Sequence, residues 1–186
     1  LRGERVAPLV PYEEYDAVVY DMDGTLAELN VDWRVVEEDV AAVYEAAGVD
    51  PKGRDLWGLL EDARDHGLFE SVNAEIADHE QAGARRSRRL PLADEVGTLD
   101  RPVGVCSLNC SDACDIALER HGLAKHVSTV VGRDTVETWK PDPEPLLAAV
   151  DALGVDPADA VFVGDSERDE LTAERAGTAF VFETRR

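Results

Sequence analysis

Asp21 and Asp23 stand two residues apart at the end of an apolar run, Ala17-Val18-Val19-Tyr20, and directly before Gly24. In an extended segment, side chains at i and i+2 leave on the same side. Two carboxylates held together repel unless something positive lies between them. A divalent metal resolves that repulsion, and oxygen-only ligands suit magnesium. Asp-Gly is also a common turn former, so this pair alone is as compatible with a turn as with a reactive site. Later segments decide the matter. Ala160-Val161-Phe162-Val163-Gly164 runs into Asp165 in the same apolar-then-acid order, and Asp169 follows four residues on. Ser107 ends another apolar run, and Lys140 precedes Pro141. Four acids, one hydroxyl and one amine at strand ends or the loops beyond them rarely serve packing, because unpaired buried charge is expensive.

The elements that must position these groups can be read from the same runs. Short β-prone stretches bounded by turn residues predict buried strands at 17–20, 102–106, 127–131, 160–163 and 179–182. Helical patterns separate the later ones: one starts near Ser111 or Asp112, one carries Leu146, Leu147, Val150 and Leu153, and one spans about 169–176. Alternating strands and helices imply parallel pairing with right-handed crossovers. The expected body is therefore a three-layer, Rossmann-like α/β core, whose chemistry belongs at the carboxyl edge of the sheet. Residues 6–15, with two prolines, read as an irregular lead-in.

Residues 27–92 have a different texture. Trp33, Val36, Val40, Tyr44 and Ala47 recur at helical spacing up to Gly48. A second helix is expected from Asp50-Pro51 through Leu56, Leu59, Leu60 and Ala63 to Gly67, and a third from Phe69 through Val72 and Ile76 towards Gly83. Three helices exceed what one strand-to-strand crossover needs. The expected organisation is a core of residues 1–26 and 93–186 with a small helical cap, 27–92, inserted after the first strand.

Among 186 residues, 19 basic side chains face 40 acidic ones, for a net charge of −21, and only three of the basic residues are Lys. Such a chain lacks the basic footprint of a nucleic-acid surface. No apolar stretch is long enough to span a membrane. The opening residues carry no secretory run and no Met, so a chain trimmed at its start and a cytoplasmic location are the expectations. Dispersed carboxylates keep a protein soluble at the cost of self-repulsion that salt screens. In composition the chain resembles halophilic proteins of salt-accumulating archaea. Cys106, Cys110 and Cys114 match no common zinc spacing and are expected in a strand and at the start of the next helix. Arg85, Arg86, Arg88 and Arg89 form a local basic cluster open to three roles: binding an anion, pairing with core acids or meeting a partner. The sequence does not choose between monomer and homodimer.

The ordered segments closely resemble the haloacid dehalogenase-like hydrolases, and the cap resembles the helical caps of phosphoglycolate-phosphatase-like members in placement and helical character. Asp21-Met22-Asp23-Gly24-Thr25-Leu26 is similar to the first family motif, Ser107 to the hydroxyl of the second, and Lys140-Pro141-Asp142-Pro143 to the third. Gly164-Asp165-Ser166-Glu167-Arg168-Asp169 followed by Ala176-Gly177 is similar to the fourth. The second motif departs from the family pattern, because Leu108 intervenes before Asn109. The resemblance implies a phosphomonoester hydrolase of a small phosphorylated metabolite, with Asp21 as nucleophile and Asp23 as acid and base. It further implies Mg2+ held by Asp21, the backbone carbonyl of Asp23, and Asp165, with Asp169 orienting a water or Asp165. Lys140 and Ser107 would steady the phosphoryl group. A phosphomutase on the same scaffold, or a phospho-ligand sensor without turnover, are the alternatives. Arg34, Arg54 and Arg88 are candidates to face the substrate.

Overall fold

The computed structural model describes residues 12–183. The lead-in expected over 6–15 lies outside the described residues as far as position 11, and Tyr12–Glu14 forms one turn of 3-10 helix. Ala17–Tyr20 is β1, and all four of its residues are buried. A strand covered on both faces must be apolar throughout rather than alternating, which is what AVVY provides. Val103–Cys106 (β4), Thr129–Val131 (β5), Ala160–Gly164 (β6) and Ala179–Phe182 (β7) complete a five-stranded sheet in the order β5-β4-β1-β6-β7. Every pairing is parallel, with Val19 opposite both Gly104 and Phe162. The first strand is thus central, and the acids that follow it emerge at the middle of the sheet.

Successive residues of β1 point to opposite faces, and two apolar layers form accordingly. Val18 and Tyr20 pack with Val96 of α4 (Ala93–Val96) and with Ala113, Ala117 and Leu118 of α5 (Ser111–Arg120). Val19 and Phe162 pack with Leu146 and Val150 of α6 (Glu144–Leu153) and with Ala173 of α7 (Glu167–Ala176).

Between β1 and β4 the chain leaves the sheet through a short antiparallel pair, β2 (Ala27–Glu28) with β3 (Arg88–Arg89). Between those strands lie α1 (Trp33–Ala46), α2 (Leu56–Asp62) and α3 (Phe69–Ala84). Val36, Val40, Tyr44, Leu60, Val72 and Ile76 form an apolar cluster of their own there. The second helix starts five residues later than its Asp50-Pro51 signature predicts. Asp55 caps it by accepting from the Gly58 N–H at 2.8 Å, while Gly53 at φ +81° turns the chain beforehand. Likewise β5 begins at Thr129 rather than Val127, because a 3-10 turn at Ala124–His126 takes up the preceding residues. The last helix starts at Glu167 instead of Asp169, since Ser166 caps it. Among the described residues no helix is long and apolar enough to cross a membrane.

Candidate active site

Asp21 follows β1 without a spacer, and its backbone N–H donates to the Val163 carbonyl of β6 at 2.9 Å. The Met22 carbonyl then accepts from three successive amides, those of Thr25, Leu26 and Ala27, winding the chain into a tight loop. Gly24 in this loop has φ +85°, and a Cβ there would lie 2.2 Å from Oδ2 of Asp165. Only glycine allows the loops after β1 and β6 to approach so closely. Asp23 is fixed by the Leu29 N–H, which donates to its Oδ1 at 2.8 Å.

Lys140 joins the clusters. Its buried Nζ donates to Oδ1 of Asp21 at 2.8 Å and to Oδ1 of Asp169 at 2.5 Å. The other oxygen of Asp169 accepts from Ser166 Oγ at 2.7 Å, closing a capping box on α7. Gly164 makes room for it, since a Cβ there would meet Asp169 at 2.6 Å. Both oxygens of Asp169 are therefore engaged by protein groups. Ser107 lies at the end of β4, with its backbone N–H on the Val131 carbonyl and its hydroxyl on Asn109 Oδ1 at 3.1 Å.

Burial sets the electrostatics. It pushes the Asp21 carboxyl above its ordinary range, with the Lys140 ammonium pulling back and Asp169 adding to the rise. Burial also pushes Asp23 up, to about 6, opposed by the Leu29 N–H and helped by Asp165, Glu28 and Glu80. For Lys140, burial works against the charged form, but Asp21 and Asp169 outweigh it and raise the ammonium above its usual value. The three cysteines are buried and unbridged, and desolvation drives the Cys106 and Cys110 thiols up to about 12, so they behave as core groups.

These side chains share one pocket of about 240 Å³. Asp21, Asp23, Ser107, Lys140, Asp165 and Asp169 all line it. Carboxylate oxygens of Asp21, Asp165 and Asp169 lie within 4.8 Å of one another. An all-oxygen donor set of this kind fits a hard divalent cation such as magnesium. Since Asp169 is already committed to Lys140 and Ser166, Asp21 and Asp165 are the carboxylates better placed to hold it. A larger hollow of about 460 Å³ lies at the opposite edge of the sheet, lined by Asp16, Asp151, Asp156 and Asp159 without a cation among them. Its charge opposes the entry of an anion.

Several lining groups escaped the sequence reading. Trp33 of α1 and Trp57 of α2 close the helical side of the pocket, with ring centroids 6.1 Å apart. Arg168 lies beside them, 5.8 Å from the Trp57 centroid. Behind the wall, Glu80 of α3 is fully buried and accepts from Arg133 Nη1 at 2.7 Å, Asn109 Nδ2 at 3.2 Å and the Cys110 N–H at 3.0 Å. The Leu108 carbonyl also accepts from Arg133 at 2.9 Å. One carboxylate from the helical segment thus anchors the loop carrying Ser107. Despite the intervening Leu108, Asn109 lines the pocket, with its amide turned to Glu80. A buried Glu paired 53 positions away leaves no local trace in sequence.

The arginines expected near the substrate are elsewhere. Arg34 pairs with Glu38, Arg54 with Asp62, and Arg88 with Glu28 across the β2–β3 ladder. Arg89 binds Asp94 and the His121 carbonyl, and none of Arg85, Arg86, Arg88 or Arg89 lines the pocket. Each paired arginine had an acid within reach along its own helix, ladder or loop.

Similarity to known proteins agrees with this geometry. A family model for haloacid dehalogenase-like hydrolases matches residues 92–182. A phosphoglycolate phosphatase of Rhodospirillum rubrum is 35% identical over 189 residues, covering 89% of this chain and 78% of the relative. A pyrophosphatase of Bacillus velezensis is 26% identical over 175 residues, covering 87% and 80%. Among solved structures, a haloacid dehalogenase superfamily hydrolase of Geobacter sulfurreducens matches with a TM-score of 0.62 at 27% identity, over 90% of this chain and 89% of that one. Fold and similarity together define a Rossmann-like α/β hydrolase. The chain belongs to the haloacid dehalogenase-like hydrolases, and the Rhodospirillum and Bacillus relatives are phosphatases by name.

Proposed function

We propose that the chain is a magnesium-dependent phosphomonoester hydrolase that acts on a small phosphorylated metabolite through an aspartyl phosphate. The observation carrying this reading is Lys140 Nζ set between Asp21 and Asp169 in a pocket shared with Asp23, Ser107 and Asp165. Asp21, oriented by Lys140, attacks phosphorus as the bond to the leaving oxygen breaks. Asp23 gives that oxygen a proton, then takes one from the water whose oxygen displaces Asp21 from phosphorus. Burial suits Asp23 to this double duty by holding its proton to about pH 6. Ser107 and Lys140 donate to the phosphoryl oxygens as negative charge spreads over them. A magnesium ion on Asp21, the Asp23 carbonyl and Asp165 would supply the charge clamp that lets a dianionic ester approach so many carboxylates. The helices between β2 and β3 act as a cap that keeps bulk water from the intermediate.

The test is phosphate release from a panel of phosphorylated metabolites in high potassium chloride, with and without magnesium. Metal-dependent release that Asp21→Asn abolishes is the expected result. Isomer formation without release would identify a mutase instead, and ligand binding without either would identify a sensor.

A further inference from the structure

Asp21 and Asp169 hold Lys140 by its tip. Its four-carbon stem is flexible, so where the ammonium can reach depends on the backbone beneath it. That backbone belongs to the connection between β5 and α6. On the core side the connection is pinned to the start of α6. Thr138 donates to Oε2 of Glu144 from both its N–H and its hydroxyl, at 3.2 and 2.6 Å, and the Asp142 N–H donates to the Trp139 carbonyl at 3.0 Å. On the other side the helical cap does the pinning. Trp139, the neighbour of Lys140, joins neither apolar layer of the sheet. It packs against the apolar cluster of α1, α2 and α3, which thereby gathers all three tryptophans of the chain, Trp33, Trp57 and Trp139.

The contact is built in layers. The Trp139 ring stacks on Phe69, the first residue of α3, at an interplanar angle of 11° with centroids 6.3 Å apart. Arg64, in the connection between α2 and α3, covers both rings: its Cζ lies 4.0 Å from the Phe69 centroid and 5.4 Å from that of Trp139. A guanidinium over an aromatic face is attracted to it. The same guanidinium donates from Nη2 to the Glu137 carbonyl at 3.1 Å, so it also grips the main chain that leads to Lys140. The far end of α3 makes a matching contact. Glu80, about 16 Å along the helix from Phe69, accepts from Asn109 and the Cys110 N–H and so anchors the loop carrying Ser107. One cap helix therefore braces both segments that supply donors to the proposed phosphoryl site.

We propose that Trp139 is a positioning residue, whose stack with Phe69 under Arg64 couples the seating of the cap to the placement of the Lys140 ammonium beside Asp21. Small displacements of a reacting group cost turnover far more than binding. This rests on the phosphoryl site proposed above, and its test separates the two. Hydrolysis of p-nitrophenyl phosphate is measured with magnesium present, and circular dichroism checks the fold of each variant. Trp139→Ala should lower kcat by at least about tenfold with KM within about threefold. Trp139→Phe, which keeps a ring to stack, should retain at least about half of native kcat. Phe69→Ala, a change in the cap alone, should lower kcat to a similar degree. The double variant should then be no more than about threefold slower than Trp139→Ala, because the two rings act as one contact. Near-native kcat in either alanine variant overturns the inference, as do losses that multiply in the double variant or that appear in KM instead. Should Trp139→Ala fail to fold, Phe69→Ala and Arg64→Met decide by the same split between kcat and KM. Asp21→Asn in the same assay tells the readings apart. Undiminished turnover there, or none by the native protein, removes the phosphoryl site and this inference together. Abolished turnover there, beside a native-like Trp139→Ala, removes this inference alone.

Discussion

Two buried charge clusters flank the pocket, and their composition separates reactive from anchoring charge. At the sheet edge one ammonium, Lys140, faces Asp21 and Asp169, while Asp23 and Asp165 open onto the same space. Asp21 and Asp169 share the single ammonium of Lys140, so negative charge is gathered where a divalent ion and a substrate can use it. Under α3 the ratio is one to one: Glu80 meets Arg133, and two further N–H groups complete its shell. Charge is balanced there, although Nη2 of Arg133 has no hydrogen-bond acceptor. Charge that is incompletely compensated marks chemistry, and charge closed on its own partners marks position.

The comparison breaks most visibly at Asp21, the proposed nucleophile. Asp21→Asn should lower phosphate release by roughly 10⁴-fold or more without lowering the thermal midpoint, because an uncharged amide is easier to bury. A variant that kept more than a tenth of native turnover would end the aspartyl-phosphate mechanism. Lys140→Met should abolish turnover and cost about 3–5 kcal/mol in urea unfolding, since it strands two carboxylates.

Glu80→Gln should cost about 3 kcal/mol by leaving Arg133 buried and unpaired, yet reduce turnover by less than about tenfold. The double replacement Glu80→Leu with Arg133→Met should recover much of that stability. Unfolding curves for both, beside their rates, test whether the second cluster is positional.

Asp23 offers a finer measurement. With its proton held to about pH 6, kcat/KM should fall as pH rises through that value and the acid is lost. The fall should flatten with p-nitrophenyl phosphate, whose leaving group needs little help from an acid. Stability has a defined sign too. The folded pKa lies above the unfolded one, so ionised Asp23 destabilises the fold fully above about pH 6 and not at all below about pH 4. Asp23→Asn should therefore melt above the native protein at pH 8 and level with it at pH 4. Smallest of all, Arg88→Ala breaks an exposed pair with Glu28 and should change stability by at most about 1 kcal/mol, with KM unmoved.

Sequence gave clear access to whatever depends on neighbours along the chain. Each buried strand announces itself as an apolar run, and the acid or hydroxyl that ends it marks the carboxyl edge of the sheet. Asp21, Ser107 and Asp165 could be placed that way before any coordinates. Helix starts were harder: Asp50-Pro51 has the chemistry of a cap, but Gly53 at positive φ spends those residues on a turn and passes the role to Asp55. The wall opposite the carboxylates was not legible. Trp33 read as an ordinary apolar helix position, Trp57 lay outside the Leu56, Leu59, Leu60 stripe, and Glu80 sits among Asp78, His79 and Gln81 in a stretch that looks solvated. Their importance arises from packing against core loops far away in sequence, which no periodicity encodes.

Gly24 carries a consequence for how finely the centre can be adjusted. One missing carbon lets its backbone rest against the carboxylate of Asp165, so the spacing between the two loops is metered by contact between bare main chain and an acid. A side chain there would need both a left-handed backbone at φ +85° and a displaced Asp165 carboxylate, so a single hydrogen in place of a methyl group keeps the two loops close.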